Sequence, residues 1–164
     1  MFKSFLVKFT TFFLIENTEE AAFAQQRKLH LRRQDMLFKK YYDMTNPNFR
    51  NFIIGLLQNL EPYHLNKGSI IFNELDGVAE IMFVCHGSIG VGYEINKFKK
   101  ITMQLINRAV IGAYYATFNE RSNFIYCSTS PVESHFIRKH AWLQLLEANQ
   151  MLAQTMKRRT LDHY

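Results

Sequence analysis

The chain has only two cysteines and three prolines in 164 residues. Cys85 and Cys127 lie in apolar, strand-like surroundings, and neither has the CxxC or HxxxH neighbour that metal or redox chemistry needs. The pattern argues against a disulfide framework and for buried free thiols in a reducing, intracellular compartment. No apolar run reaches the roughly 18 to 20 residues that span a bilayer, because Lys3 and Lys8 interrupt the N-terminal one. There is no GxSxG, P-loop, HExxH or paired-carboxylate motif, and His30, His64, His86, His135, His140 and His163 fall singly along the chain. The expectation is a non-catalytic chain with no metal site. No zinc-finger spacing or RNP-like aromatic motif is present either, so no nucleic-acid partner is expected.

What the chain does have is apolar bulk. Hydrophobic residues make up 48%, with 15 Phe and 8 Tyr, and charged residues 21%. A domain of this size buries roughly 68–70% of its unfolded surface, enough for a core. The formal net charge is +6 and the pI about 9.4, which favours an anionic neighbour. The basic residues fall in three separated groups: Arg27 to Lys40, then Lys97, Lys99 and Lys100, then Lys157, Arg158 and Arg159. Separated groups read as solvated faces rather than as one footprint.

Residues 2 to 15 place Phe2, Phe5, Leu6, Phe9, Phe12 and Phe13 on one helical face, flanked by Lys3 and Lys8. Three readings fit: docking on a partner or on the chain's own domain, contact with a membrane surface, or a targeting presequence. Docking is the expectation carried forward, with membrane contact beside it. Residues 17 to 44 read as a polar helix, capped by Asn17 or Thr18 with Glu19 and Glu20 in its first turn. Residues 1–45 thus form a linker or docking segment and 46–164 a separate domain.

Asn46-Pro47 opens a further helix, with Phe49, Phe52, Ile53, Leu56, Leu57 and Leu60 at helical spacing and Pro62 as its stop. The period then changes to alternation. Strands are predicted over 69–72, 80–85, 89–95, 99–106, 124–129 and 132–137, separated by Asp76-Gly77, His86-Gly87-Ser88 and Asn96-Lys97. In 89–95, Ile89, Val91, Tyr93 and Ile95 alternate with Gly90, Gly92 and Glu94, which predicts a half-buried sheet. A closing helix carries Trp142, Leu145, Leu146, Asn149, Leu152, Ala153 and Met156 on one face through i+14. Helices, then antiparallel strands, then a helix describe an α+β domain, an antiparallel roll flanked by helices.

The order of local motifs resembles that of a cyclic-nucleotide-binding domain over about residues 47 to 160. Lys67-Gly68-Ser69-Ile70-Ile71 resembles the family's first strand after its glycine turn, and Glu74-Leu75-Asp76 its second turn. Residues 80–87, EIMFVCHG, look like the strand and glycine turn that follow, and FIRKHAW leads into the closing helix. Taken with ELDGVAEIMFV and GYEINKFKK, the set is similar to the divergent domains at the cytoplasmic end of ciliate potassium-type and cyclic-nucleotide-gated cation channels. The resemblance implies a jelly-roll-like β-roll, with residues 17 to 44 standing where those channels have their linker to the gate.

It also implies a phosphate cassette at Val110 to Ser122, VIGAYYATFNERS. The family's cassette carries a glycine, a glutamate for the ribose hydroxyl, then an arginine and a small hydroxyl residue for the cyclic phosphate. Gly112, Arg121 and Ser122 match, while Ala113 stands where the glutamate would be. A hydrogen bond to a charged group is worth about 1.5–3 kcal/mol, so this loss alone weakens binding of cyclic AMP or cyclic GMP by roughly 10- to 100-fold. Bulky Tyr114, Tyr115 and Phe118, and Glu120 beside Arg121, point the same way: aromatics filling the cavity and Arg121 paired with a local acid. Two functions follow: a degenerate, cofactor-free module docking on protein partners in a larger assembly peripheral to a membrane, or a sensor that binds cyclic AMP or cyclic GMP weakly.

Overall fold

A computed structural model describes residues 45–106, 109–154 and 157. Phe2, Phe5, Leu6, Phe9, Phe12 and Phe13, and the polar helix expected over 17 to 44, lie outside the described residues. The chain divides into two units, Met1–Ile54 and Gly55–Tyr164, and the boundary falls inside the first described helix.

That helix, α1 (Pro47–Gln58), begins where the sequence places it. The Asn46 side chain accepts the Asn48 N–H at 3.0 Å, and its carbonyl accepts Arg50 N–H at 2.9 Å. Phe49, Phe52, Ile53 and Leu56 are buried, as the spacing requires. Asn59 ends the helix by donating its side-chain amide to Gly55 O at 2.8 Å, so the stop comes before Pro62.

Pro62 instead lies in a strand that the sequence reading missed, β1 (Glu61–Leu65). Proline is tolerated because β1 is the edge of its sheet, where one side of the backbone needs no partner. Strands β2 (Ile70–Phe72), β3 (Glu80–His86), β4 (Ser88–Ile95), β5 (Phe98–Ile106), β7 (Ile125–Ser128) and β8 (Val132–Arg138) follow the six predicted ranges, and a two-residue strand, β6 (Val110–Ile111), joins them ahead of Gly112. Two antiparallel sheets result, ordered β1-β8-β3-β6 and β2-β7-β4-β5. Helix α2 (Ala113–Phe118) interrupts between β6 and β7, and α3 (Lys139–Ala148) follows β8 directly.

The core of the second unit comes from both sheets. Ile81 faces Ile137 across β3 and β8, and both are fully buried. Ile89, Val91, Ile111 and Ile125 join them, with Trp142 and Leu146 contributed by α3. Each such side chain contributes about 1.5–3 kcal/mol on burial. The strand β4 is not half-buried as its alternation implies, because Gly90 and Gly92 are buried too. A Cβ on Gly90 would meet the Ile101 side chain at 2.8 Å, and one on Gly92 the Lys100 carbonyl at 2.0 Å. Neighbouring groups close down on the glycines and cover both faces.

The closing helix also differs from its single predicted stripe. It breaks at Asn149 (φ −131°, ψ 58°), then resumes as a helical turn over 150–154. The Asn149 side chain donates to Leu145 O at 2.9 Å and its backbone N–H to Leu146 O at 3.2 Å. Local amide bonding of this kind competes with helix continuation. Leu152 and Ala153 are buried beyond the break.

The three-residue strand β2 is too short to hold its own place, and a buried serine secures one end. Ser128 Oγ donates to Asn66 O and accepts Ser69 N–H at 2.9 Å, while the Ser128 carbonyl accepts Gly68 N–H at 2.8 Å. Replacing Ser128 with Ala removes both hydroxyl bonds and leaves Ser69 N–H and Asn66 O only their longer mutual bond of 3.2 Å. The expected loss of stability is about 2 kcal/mol, read from urea unfolding midpoints at unchanged slope.

Gly68 and Gly87 separate backbone conformation from crowding. Both have left-handed backbones, φ 87° and 101°. A Cβ on Gly68 meets nothing within 4 Å, whereas one on Gly87 lies 2.4 Å from Pro131 O. Gly68→Ala is expected to cost about 1–2 kcal/mol from the backbone alone. Gly87→Ala costs at least about 1 kcal/mol more by the same measurement, since overpacking adds to the conformational term. Equal losses would show that crowding at Gly87 is relieved by relaxation.

Candidate functional site

The cassette begins where β6 ends. Gly112 has φ 84° and ψ −5°, and a Cβ there would lie 2.8 Å from Glu80 O and 2.9 Å from Val78 Cγ1. Only glycine combines that backbone with that approach. Helix α2 follows for six residues and ends at Asn119, also left-handed at φ 58° and ψ 36°. The Tyr115 carbonyl accepts the N–H groups of Asn119 and Glu120, the latter at 2.9 Å, closing the helix.

The faces of α2 decide what the aromatics do. Tyr115 and Ala116 point inward and are buried, while Ala113, Tyr114 and Phe118 are half-buried. Tyr114 packs on Phe118 with ring centroids 5.0 Å apart and meets Tyr115 edge-on at 5.5 Å. Among the described residues Tyr115 is the largest fully buried side chain, yet its hydroxyl has no hydrogen-bond partner there. An unpaired buried hydroxyl costs about 1–3 kcal/mol. Ala113 at the helix start presents only a methyl group.

Arg121 and Ser122 are brought to a different neighbour. Both meet the turn at 73–77, between β2 and β3. Arg121 bridges Gly77 through the backbone, and its guanidinium donates to Leu75 O at 3.4 Å. The side chain is exposed and forms no ion pair among the described residues, so the expected pairing with Glu120 or another acid is replaced by this carbonyl contact. Leu75 holds the carbonyl in place through a left-handed backbone, φ 64°.

Ser122 is the opposite case. It is 0% exposed, and its hydroxyl donates to Phe124 O at 2.7 Å. Its N–H donates to Asp76 O at 2.9 Å and its carbonyl accepts Leu75 N–H at 2.7 Å. The Asp76 carboxylate in turn accepts Asn73 N–H at 2.8 Å. Every polar group of Ser122 is therefore committed within the chain. Gly112 abuts Val78 and Glu80, and Arg121 abuts Gly77, so the two halves of the cassette flank the same 72–80 segment.

Several contacts around the site were not legible beforehand. Trp142 Nε1 donates to Thr117 Oγ1 at 2.9 Å, and Lys139 Nζ donates to Asn119 Oδ1 at 2.6 Å, so α3 is fastened to both α2 and its cap. The helical stripe marked Trp142 as core, and nothing marked Thr117 as its acceptor. Cys85 Sγ lies 3.5 Å from His135 Nδ1, where the ladder between β3 and β8 shifts register. No group of three or more metal-ligating side chains occurs among the described residues. Nor is any helix among them long and apolar enough to cross a membrane.

No family model matches the chain, and no curated protein matches it. Solved structures do. The C-linker/CNBHD of zELK channels, crystallised in the presence of cAMP, is 18% identical with a TM-score of 0.60, over 73% of this chain and 62% of that one. The sensor domain of the transcriptional regulator DNR from Pseudomonas aeruginosa is 16% identical with a TM-score of 0.60, over 80% of this chain and 89% of that one. The cGMP-bound form of the EAL enzyme Bd1971 is 16% identical with a TM-score of 0.54, over 63% of this chain and only 28% of the enzyme. At these identities the likeness is one of fold: two antiparallel sheets with their helices form the β-roll of cyclic-nucleotide-binding domains.

Proposed function

We propose that this chain is a non-catalytic module that keeps the cyclic-nucleotide-binding roll, has a degenerate phosphate cassette, and serves as an interaction subunit of a larger, membrane-associated assembly. The observation that carries the reading is Ser122. The hydroxyl that a phosphate would need is buried and already donated to Phe124 O. To bind an anion through it, the chain would have to give up that bond and open the clamp on the 73–77 turn.

The surroundings support the same reading. Ala113 offers no acceptor to a ribose hydroxyl, and Tyr115 takes up interior volume behind the helix. The closing helix is tied to the cassette by Trp142 and Lys139, bonds that a ligand-driven movement of α3 would have to break. Protein partners then meet the surface of the roll or the apolar face of Phe2, Phe5, Leu6, Phe9, Phe12 and Phe13.

One observation favours a second reading, a sensor of weakly bound cyclic AMP or cyclic GMP in a cation channel of the ciliate type. Arg121 is exposed and holds only a long bond to Leu75 O, so its guanidinium is available to a phosphate.

Isothermal titration separates the two. The proposal expects no binding heat with either cyclic nucleotide up to about 1 mM, a level corresponding to roughly −4 kcal/mol. It also expects Ala113→Glu to leave titration flat, because restoring the ribose acceptor does not release Ser122. Heat that Arg121→Ala abolishes would establish the sensor reading instead.

A further inference from the structure

We propose that the tip of the β4–β5 hairpin is a contact site for an anionic lipid surface, separate from the cassette and from the N-terminal segment. Ile95 and Phe98 face each other as the last pair before the turn. They are 50% and 79% exposed, so the hairpin ends in an apolar pair that the fold does not cover. Lys97, Lys99 and Lys100 surround this pair, and residues 94 to 100 are all exposed. Glu94, opposite Lys99, is the one acid within residues 94 to 100, and the Glu74 carboxylate lies at the base of the tip.

The backbone gives a second, independent observation. Asn96 and Lys97 both occupy left-handed conformations, φ 51° and 68°, as a two-residue hairpin turn of the primed type requires. Glycine is the residue that takes the second of these positions without strain. A lysine there is strained, and its side chain makes no hydrogen bond or ion pair among the described residues that would repay the strain. The base of the tip is fixed, since Glu94 N–H donates to the Glu74 carboxylate at 3.0 Å. The hairpin therefore holds out one aromatic, one aliphatic and three cations.

That combination fits a lipid surface better than a protein. Specific protein interfaces bury about 800 Å² on each partner, far more than the tip pair supplies, and the other exposed apolar side chains of β5, Ile101, Met103 and Ile106, lie farther along the strand from the turn. An aromatic and an aliphatic side chain can instead enter the headgroup layer individually, while nearby lysines remain at the surface with anionic headgroups. Each lysine so placed contributes roughly fivefold in partition.

The test uses the full chain with phosphatidylcholine vesicles, with and without phosphatidylserine, in a co-sedimentation assay. The chain is expected to sediment with the phosphatidylserine vesicles. Replacing Lys97, Lys99 and Lys100 together by Ser should weaken partition by about 100-fold, and Phe98→Ser should lower it further. The triple variant Phe5→Ser, Phe9→Ser, Phe12→Ser tells the two surfaces apart, because the hairpin dependence should persist in it. As a readout independent of folding in the serine variants, Phe98→Trp should show emission shifted to the blue with phosphatidylserine vesicles only. Unchanged sedimentation of the lysine variant, or unchanged Phe98→Trp emission, overturns the proposal. So does capture by an acidic protein without vesicle binding.

Discussion

The roll depends on a clamp made by two buried serines six residues apart. β2 has only three residues and shifts register against β7, so its ladder alone cannot fix the chain on either side. Ser128 fastens the turn before β2 through Asn66, Gly68 and Ser69; Ser122 fastens the turn after it through Leu75 and Asp76. Both serines are buried, where an internal hydrogen bond is costly to leave unmade. The segment from 122 to 128 thereby holds β2 at both ends, and the turn at 73–77 is in turn the neighbour of Arg121.

Function follows from that constraint. In the motif order of a cyclic-nucleotide-binding domain, Ser122 falls where a ligand-facing hydroxyl is expected, but here its backbone fastens the 73–77 turn and its hydroxyl is held by Phe124 O. Arg121 keeps its exposure and charge, so the cassette retains half of what phosphate recognition uses. Of the aromatic residues of α2, only Tyr115 belongs to the core, while Tyr114 and Phe118 are half-buried. Tyr115 is buried with an unpaired hydroxyl, a cost that the surrounding packing sustains.

Two regions of the second unit have opposite character. Around α2 and α3, side chains are buried and cross-linked, with Trp142 on Thr117 and Lys139 on Asn119. At the tip of β4 and β5, apolar and basic side chains stand in solvent on a strained turn. Ser122 is committed within the chain, whereas the exposed charge of Arg121 and the apolar and basic tip face solvent.

Much of this was legible in the sequence because its causes are local. Asn46-Pro47 set the start of α1, and alternation and turn residues set six strands. β1 was missed because Pro62 reads as a breaker, and only its place at a sheet edge makes it harmless. The break at Asn149 was missed because the apolar stripe continues past it while one side-chain amide interrupts the backbone. The order of motifs determined the roll, and the residue types at Ala113 and Arg121 determined which parts of a phosphate site could exist. Only the tertiary structure decided that Ser122 is buried, because its backbone N–H and carbonyl are paired by Asp76 and Leu75 of the distant 73–77 turn, and a hydroxyl shut off from solvent there is left to the Phe124 carbonyl close by.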